Sequence, residues 1–216
     1  MFRNSWDPYA MFVKIIAISF VAVFIIPLHE YAHAFAAYKL GDKTALQRGR
    51  LTLNPLKHMD IYGVICMFLI GYGWAKPVPV DSRNFKNRRV GVAITSAAGP
   101  AANFLAALLG AIVLKVIVSA HLVPDAIFRR FVVLFFQEYV QINVALAAFN
   151  LLPIPPLDGF GIAEMFLSEP IVHLVYANQA LISVVMLVAM CMGFFDKFLA
   201  NISGFLVRVI TLLVGL

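Results

Sequence analysis

The sequence predicts an all-α polytopic membrane protein, a bundle of about four to five transmembrane helices with a short membrane-associated β-hairpin or sheet. Three observations lead there. Of the 216 residues, 62% are hydrophobic and only 13% are charged, whereas a soluble domain is about 45–50% apolar and about 25% charged. A mid-sized domain still exposes roughly 30% of its unfolded-chain surface, so a soluble core cannot absorb this much apolar area and lipid must solvate the rest. The apolar residues also fall in runs near the roughly 20 residues that cross a bilayer. Disorder, a soluble coiled coil and an ordinary cytosolic enzyme are thereby excluded, and one membrane-embedded domain, 1–216, is expected.

The first span is expected from Ala10 to about Leu40, stopped by Gly41-Asp42. At about 1.5 Å per residue it is roughly 45 Å long, so it must tilt or protrude. The polar stretch from Lys43 to Asp60 precedes an apolar run, Ile61 to Tyr72, that is too short to cross and reads as re-entrant or packed on other helices. A second polar stretch, Gly73 to Arg89, carries Pro77 and Pro79. Leu51-Thr52-Leu53 and Val78-Pro79-Val80 alternate like short strands, with proline confining the second to an edge; these supply the expected β-structure. Further spans are expected over Val90 to Ser119, Phe128 to Leu152 (broken by Pro153, Pro155 and Pro156) and Ile171 to Met192. The final run, Phe198 to Leu216, reads as a fifth span or an interfacial helix, because Asn201, Ser203 and Arg208 dilute it.

The formal charge is +6. Ten of the seventeen Lys and Arg lie between Lys39 and Arg89, which fits cytoplasmic loops better than a nucleic-acid face. A multi-pass protein of the cell membrane is expected, with its first helix entering from outside and the late part of that helix toward the cytoplasm; Arg129 and Arg130 on the outer side run against this orientation. Cys66 and Cys191 sit in apolar runs and read as small buried hydrophobes. Met1 to Tyr9 lacks the marks of a removable signal peptide.

Chemistry concentrates at His29-Glu30-Tyr31-Ala32-His33. Residues four apart on a helix differ by about 40°, so both imidazoles share a face, and Glu30 sits about 60° beyond His33. Two His ligands with a neighbouring Glu as general base is the zinc-peptidase arrangement. Three ionisable groups inside an apolar helix are costly, which favours function over packing. A catalytic zinc needs a third protein ligand and an open position. Asp158 stands out, in the run Asn150 to Gly159, where three prolines forbid a regular helix; backbone of that kind at membrane depth belongs inside protein or beside a watery cavity. Glu138 is the rival, although Gln137 and Gln141 beside it suggest hydrogen bonding between helices. A dication with two neutral imidazoles, Asp158 and Glu30 sums to zero charge, which a low-dielectric site holds most easily.

With these residues in view, the chain resembles the site-2 protease family of intramembrane zinc metallopeptidases. The resemblance runs from about Pro27 to Phe160. It rests on His29-Glu30-x-x-His33, Gly49 to Pro55, Ala75 to Val80, Ala98-Gly99-Pro100-Ala101-Ala102-Asn103, and Asn150 to Gly159. It implies Zn2+ held by His29, His33 and Asp158, a catalytic Glu30, and cleavage of membrane-spanning protein segments in the plane of the bilayer. The chain looks like a minimal member, without the PDZ or CBS domain of many relatives.

Zinc chemistry then sets expectations for the remaining residues. Glu30 takes a proton from water and returns it to the leaving amine. Asn103, four residues after Gly99 on one helical face, is the candidate second donor to the developing oxyanion. One of the two strand-like edges is expected to pair with unwound substrate. His58 is read as solvated or helix-starting rather than as a ligand, and His121 and His173 as interfacial. The expected partners are a transmembrane protein or peptide substrate and the lipid bilayer, with no nucleic acid. The alternative is a metal-ion transporter with an intramembrane His/Asp site, but one broken helix without an inverted repeat suits transport poorly, and transport has no use for Glu30. A noncatalytic membrane chaperone is disfavoured by the complete set of four residues.

Overall fold

A computed structural model describes residues 7–70 and 74–215 of the chain. The first helix, α1, runs Pro8–Lys39. Asp7 caps it by accepting the Tyr9 N–H at 3.0 Å. Its middle is a π-helical turn, Val21–Ile25, just before Pro27, whose missing N–H and bulky ring disturb the ladder behind it. Short helices α2 (Thr44–Gln47), α3 (Pro55–His58) and α4 (Ile61–Ile70) follow. Then come α5 (Arg88–Ser119), α6 (Ala126–Asn150), α7 (Asp158–Ala163), α8 (Glu169–Ala177), α9 (Gln179–Cys191) and α10 (Asp196–Val214).

Four of these, α1, α5, α6 and α10, are long and apolar enough to cross a membrane, and α8 with α9 would make a fifth span bent by 73°. The protein is thus a multi-pass membrane protein. At 19 residues, α10 has the length to span that the sequence left undecided. The ten-residue α4 is too short to cross, as expected; 71–73, at the end of that run, lie outside the described residues.

Two expectations are corrected. No β-hairpin or sheet forms among the described residues. There is one isolated antiparallel bridge, Met59 with Ala75, flanked by Lys76 N–H donating to the His58 carbonyl at 2.8 Å. Pro77 and Pro79 have no N–H to give a ladder, Val78 spends its own on Glu30, and Asn54 and Pro55 turn the other segment into α3. The run from Ile171 to Met192 is also not one straight helix. It breaks at Asn178, whose side chain donates to the Leu174 carbonyl at 2.8 Å, the local competition by which asparagine interrupts helices. Cys191 is exposed and Cys66 half-buried, and both are free.

At the centre, α5 packs against α6, α1 and α7. Val21, Ile25, Ala106 and Tyr139 form one core cluster where α1, α5 and α6 meet. Ala107, Ala111, Val144, Ile210 and Val214 form a second that seats α10. Small residues on α5 allow the close approach: Gly110 lies against the Tyr139 ring, where a Cβ would overlap it. At one end of the bundle Arg130 pairs with Asp7, which neutralises one of the two arginines that opposed the orientation read from charge.

A candidate three-ligand metal centre between α1, α5 and α7

His29 and His33 stand one turn apart on α1, below the π-helical turn, and face α5. There Gly99 leaves room for them: a Cβ at Gly99 would collide with both rings. The third group comes from far along the chain. The proline-rich turn after α6 ends at Asp158, the first residue of α7. Gly159 lets that turn fold tightly, since a Cβ there would strike the carbonyls of Leu151 and Leu152.

Asp158 Oδ2 lies 3.3 Å from His29 Nε2, and its Oδ1 lies 3.3 Å from His33 Nε2. The two Nε2 atoms are 3.0 Å apart. Tetrahedral zinc with bonds of about 2.0–2.1 Å separates its ligand atoms by roughly 3.3–3.4 Å, so this triangle has the right size. The far side of each ring is committed. His29 Nδ1–H donates to Asn103 Oδ1 at 2.6 Å, and His33 Nδ1–H donates to the Thr95 carbonyl at 2.7 Å. With the proton on Nδ1, each Nε2 points a lone pair into the triangle, toward the other and toward a carboxylate. Asp158 Oδ2 is buried with no hydrogen-bond partner. Three converging lone-pair donors are mutually repulsive unless a cation lies among them, and nitrogen and carboxylate donors of this kind suit zinc. Among the described residues this is the one group of at least three such side chains that could hold a metal ion. Glu138, the rival to Asp158, is not part of it.

Glu30 is buried, and its Oε2 accepts the Val78 N–H at 3.0 Å. It lines the same cavity, about 770 Å³, as His29, His33 and Asp158. The irregular segment 74–80 forms part of its wall, with Trp74, Pro77, Val78 and Val80 lining the cavity. Arg50 holds this strap by donating to the carbonyls of Lys76 and Pro77 at 2.7 and 3.2 Å. Asp42 holds its end, accepting the Asp81 N–H at 2.8 Å as well as Asn84 Nδ2, Thr44 N–H and Thr44 Oγ. Burial works against ionisation of Asp42, but these donors outweigh it and keep its carboxyl below the usual aspartate range.

Asn103 lines the same cavity, and its amide is engaged with neighbouring side chains. Its Oδ1 takes the His29 proton and its Nδ2 donates to Asn143 Oδ1 at 3.3 Å. Both amide atoms are thus engaged, the oxygen with the imidazole of His29 and the nitrogen with Asn143. His58 is fully buried rather than solvated, with Nε2–H donating to the Thr52 carbonyl at 2.8 Å, and it is not a ligand. Sequence reasoning missed the Thr95 carbonyl, the Val78 N–H and Asn143. The first two are backbone groups that no residue type announces; the third carried a weak signal, a lone asparagine in an apolar span.

Fold and donor set define a polytopic membrane protein with a histidine–carboxylate centre of zinc type. Comparison with known proteins points the same way. A family model, Peptidase family M50, matches residues 116–194, a stretch that contains Asp158 and follows the His29–His33 pair. The chain is 45% identical over 137 residues to "Putative zinc metalloprotease YwhC" of Bacillus subtilis (strain 168), covering 63% of each chain. It is 36% identical over 166 residues to "Putative zinc metalloprotease Rip2" of Mycolicibacterium smegmatis, covering 70% of this chain and 61% of that one. With the Rip2 of Mycobacterium tuberculosis (strain H37Rv) it shares 30% over 142 residues, 63% of this chain and 52% of the other. The chain therefore spans about three fifths of the length of the first two relatives. No solved structure matches it. The family-model match and the zinc metalloprotease names of these relatives agree with the resemblance to the site-2 protease family, that of the M50 peptidases.

Proposed function

We propose that this protein is an intramembrane zinc metalloendopeptidase that hydrolyses peptide bonds within or near transmembrane segments of other membrane proteins. The observation that carries the reading is the ligand triangle of His29, His33 and Asp158 sharing one cavity with a buried Glu30 inside a helical bundle. When bound, zinc supplies a Lewis acid that polarises a carbonyl and lowers the pKa of water toward about 7. Glu30 is the group placed to take a proton from the attacking water and to deliver it to the leaving amine. Its Oε2 is anchored by Val78, which fixes the carboxylate without a competing cation. Asn103 and the Thr95 carbonyl hold the two imidazoles in the tautomer that a metal needs.

A transmembrane helix hides its peptide bonds, so the substrate must enter extended. The strap 74–80 is free of helix, borders the cavity, and touches Glu30 through Val78. It is the element against which an unwound segment would lie. Its tie to Glu30 would bring the scissile bond beside the base. The basic residues gathered between Lys39 and Arg89 favour a cytoplasmic orientation for this end of the bundle, in the cell membrane.

Glu30→Gln, reconstituted in vesicles with a single-span substrate, tests the reading. Zinc content should equal that of the wild type while cleavage disappears. Undiminished cleavage would remove Glu30 from the reaction. Zinc flux across the vesicle by the wild type, without cleavage, would replace the protease by a transporter.

A further inference from the structure

Behind His29 runs a chain of buried amides that serves no packing need. His29 Nδ1 meets Asn103 Oδ1 at 2.6 Å, Asn103 Nδ2 meets Asn143 Oδ1 at 3.3 Å, and Asn143 Nδ2 meets the backbone carbonyl of Tyr139 at 2.9 Å. Asn103 is 1% exposed and Asn143 is 0% exposed. They sit on α5 and α6, among apolar neighbours such as Ala106, Ala107, Val144 and Tyr139. Polar groups this deep are costly unless all their bonds are made.

The direction of this chain follows from its far end. A backbone carbonyl can only accept, so Asn143 must turn its NH2 to Tyr139 and its oxygen to Asn103. Asn103 must then give its own NH2 to Asn143 and present its oxygen to His29. An oxygen facing Nδ1 requires the proton there, which leaves the Nε2 lone pair for a metal. An isolated Asn103 could rotate its amide by half a turn at little cost. Its NH2 would then face Nδ1, and the imidazole proton would move to Nε2, the position a metal ion needs.

We propose that Asn143 is a positioning residue for the metal centre: acting through Asn103, it fixes the tautomer of His29 and so sets zinc affinity, although it touches no ligand atom of the metal. This rests on the metal-centre reading above. Outer partners of a metal-bound histidine are typically worth about 10–100-fold in metal affinity. Asn143, one link further out, should be worth about tenfold, at the low end of that range.

The test measures zinc affinity of the full chain in lipid nanodiscs by competition with a chromogenic chelator. The proteins are the wild type, Asn143→Leu, Asn103→Leu, Asn103→Leu/Asn143→Leu and Asn143→Asp. Asn143→Leu should weaken zinc about tenfold. The double variant should be no weaker than Asn103→Leu, because Asn143 has no route to the metal once Asn103 is gone. Asn143→Asp still accepts from Asn103 and should bind zinc close to the wild type, even though it loses the bond to Tyr139 and is less stable. A purely structural role predicts the opposite order, with the buried charge doing the greater harm. Wild-type affinity in Asn143→Leu, additive losses in the double variant, or a loss in Asn143→Asp equal to that in Asn143→Leu would each overturn the proposal. A wild type that binds no zinc would overturn the metal centre itself.

Discussion

Substituting Gly99 by alanine adds one methyl group to the middle of α5 and should disable the metal centre while leaving the fold intact. The new Cβ would stand 2.5 Å from His29 Cε1 and closer still to His33 Nε2, where carbon atoms rest at about 3.5–4.0 Å. Restoring normal contact on the His29 side alone requires a displacement of about 1 Å. The rings cannot give that much and keep their function. Each is anchored at its far nitrogen, by bonds of 2.6 and 2.7 Å, and the ligand triangle has edges of 3.0 to 3.3 Å. A working site tolerates only about 0.5 Å. Zinc affinity should therefore fall about 10–100-fold, and cleavage at saturating zinc should fall about 100-fold. Overpacking against the anchored rings costs about 1–3 kcal/mol and is only partly offset by the helix propensity of alanine, up to about 1 kcal/mol, so the zinc-free variant should still fold but unfold no later than the zinc-free wild type. Chelator competition reads the first quantity, cleavage of a single-span substrate the second and thermal unfolding the third. Gly99→Ala binding zinc as tightly as the wild type would show that the rings do not rest on α5 as described.

Two further outcomes follow from groups around the site. Asp42→Ala removes the acceptor of several part-buried donors and should destabilise the protein by about 2 kcal/mol, seen as a lower unfolding midpoint and faster proteolysis of the segment 74–84. Because the Asp42 carboxyl is held below its ordinary range, the anchorage it provides is fully present above the unfolded-state value of about 3.9. It is lost as pH falls through the lower folded-state value, so the wild type should loosen this segment in strong acid; amide exchange at Asp81 that stays constant through that fall would contradict the account. Directly after α7, buried Glu164 is held by Arg88 at 3.2 Å and by the hydroxyl of Tyr176, near the end of α8, at 2.9 Å. Tyr176→Phe should cost about 1 kcal/mol, since Tyr176 is partly exposed, and Arg88→Ala more, because it leaves a buried carboxylate without its cation. Both should speed cleavage by added protease at the break around Asn178, and unchanged rates would show that this latch does not hold α8 and α9.

Much of the site could be read along the chain because its chemistry is local. His29, Glu30 and His33 lie within one helical turn, and helix periodicity alone places both imidazoles on one face. Asp158 was legible for another reason: three prolines beside a carboxylate mark irregular backbone at a depth where irregular backbone is expensive. The bend at Asn178 was less visible, since its neighbours are as apolar as any span and a single asparagine does not reveal whether its side chain will turn on its own helix. The strand-like alternation of Leu51 to Leu53 and Val78 to Val80 misled because a ladder needs N–H groups. The prolines had removed two of them, and Glu30 claimed a third.

Asn103 shows where local reading stops. Its position on α5 made it a good donor toward substrate, yet which side of an imidazole it meets depends on how α5 rolls against α1. That roll is set by Gly99 beneath the rings and Gly110 beneath Tyr139, contacts between residues far apart in the chain.

Sequence by itself determined that this chain lies in lipid, that two histidines and a glutamate share a turn, and that a distant aspartate sits in a break of the backbone, because composition and periodicity are properties of single segments. Only the tertiary structure decided that the aspartate reaches those histidines, that the carbonyl of Thr95 and the amide of Asn103 take their outer protons, and that a proline-rich strap rather than a sheet borders the cavity. Those outcomes depend on which surfaces of separate helices meet, and close packing settles that over the whole molecule at once.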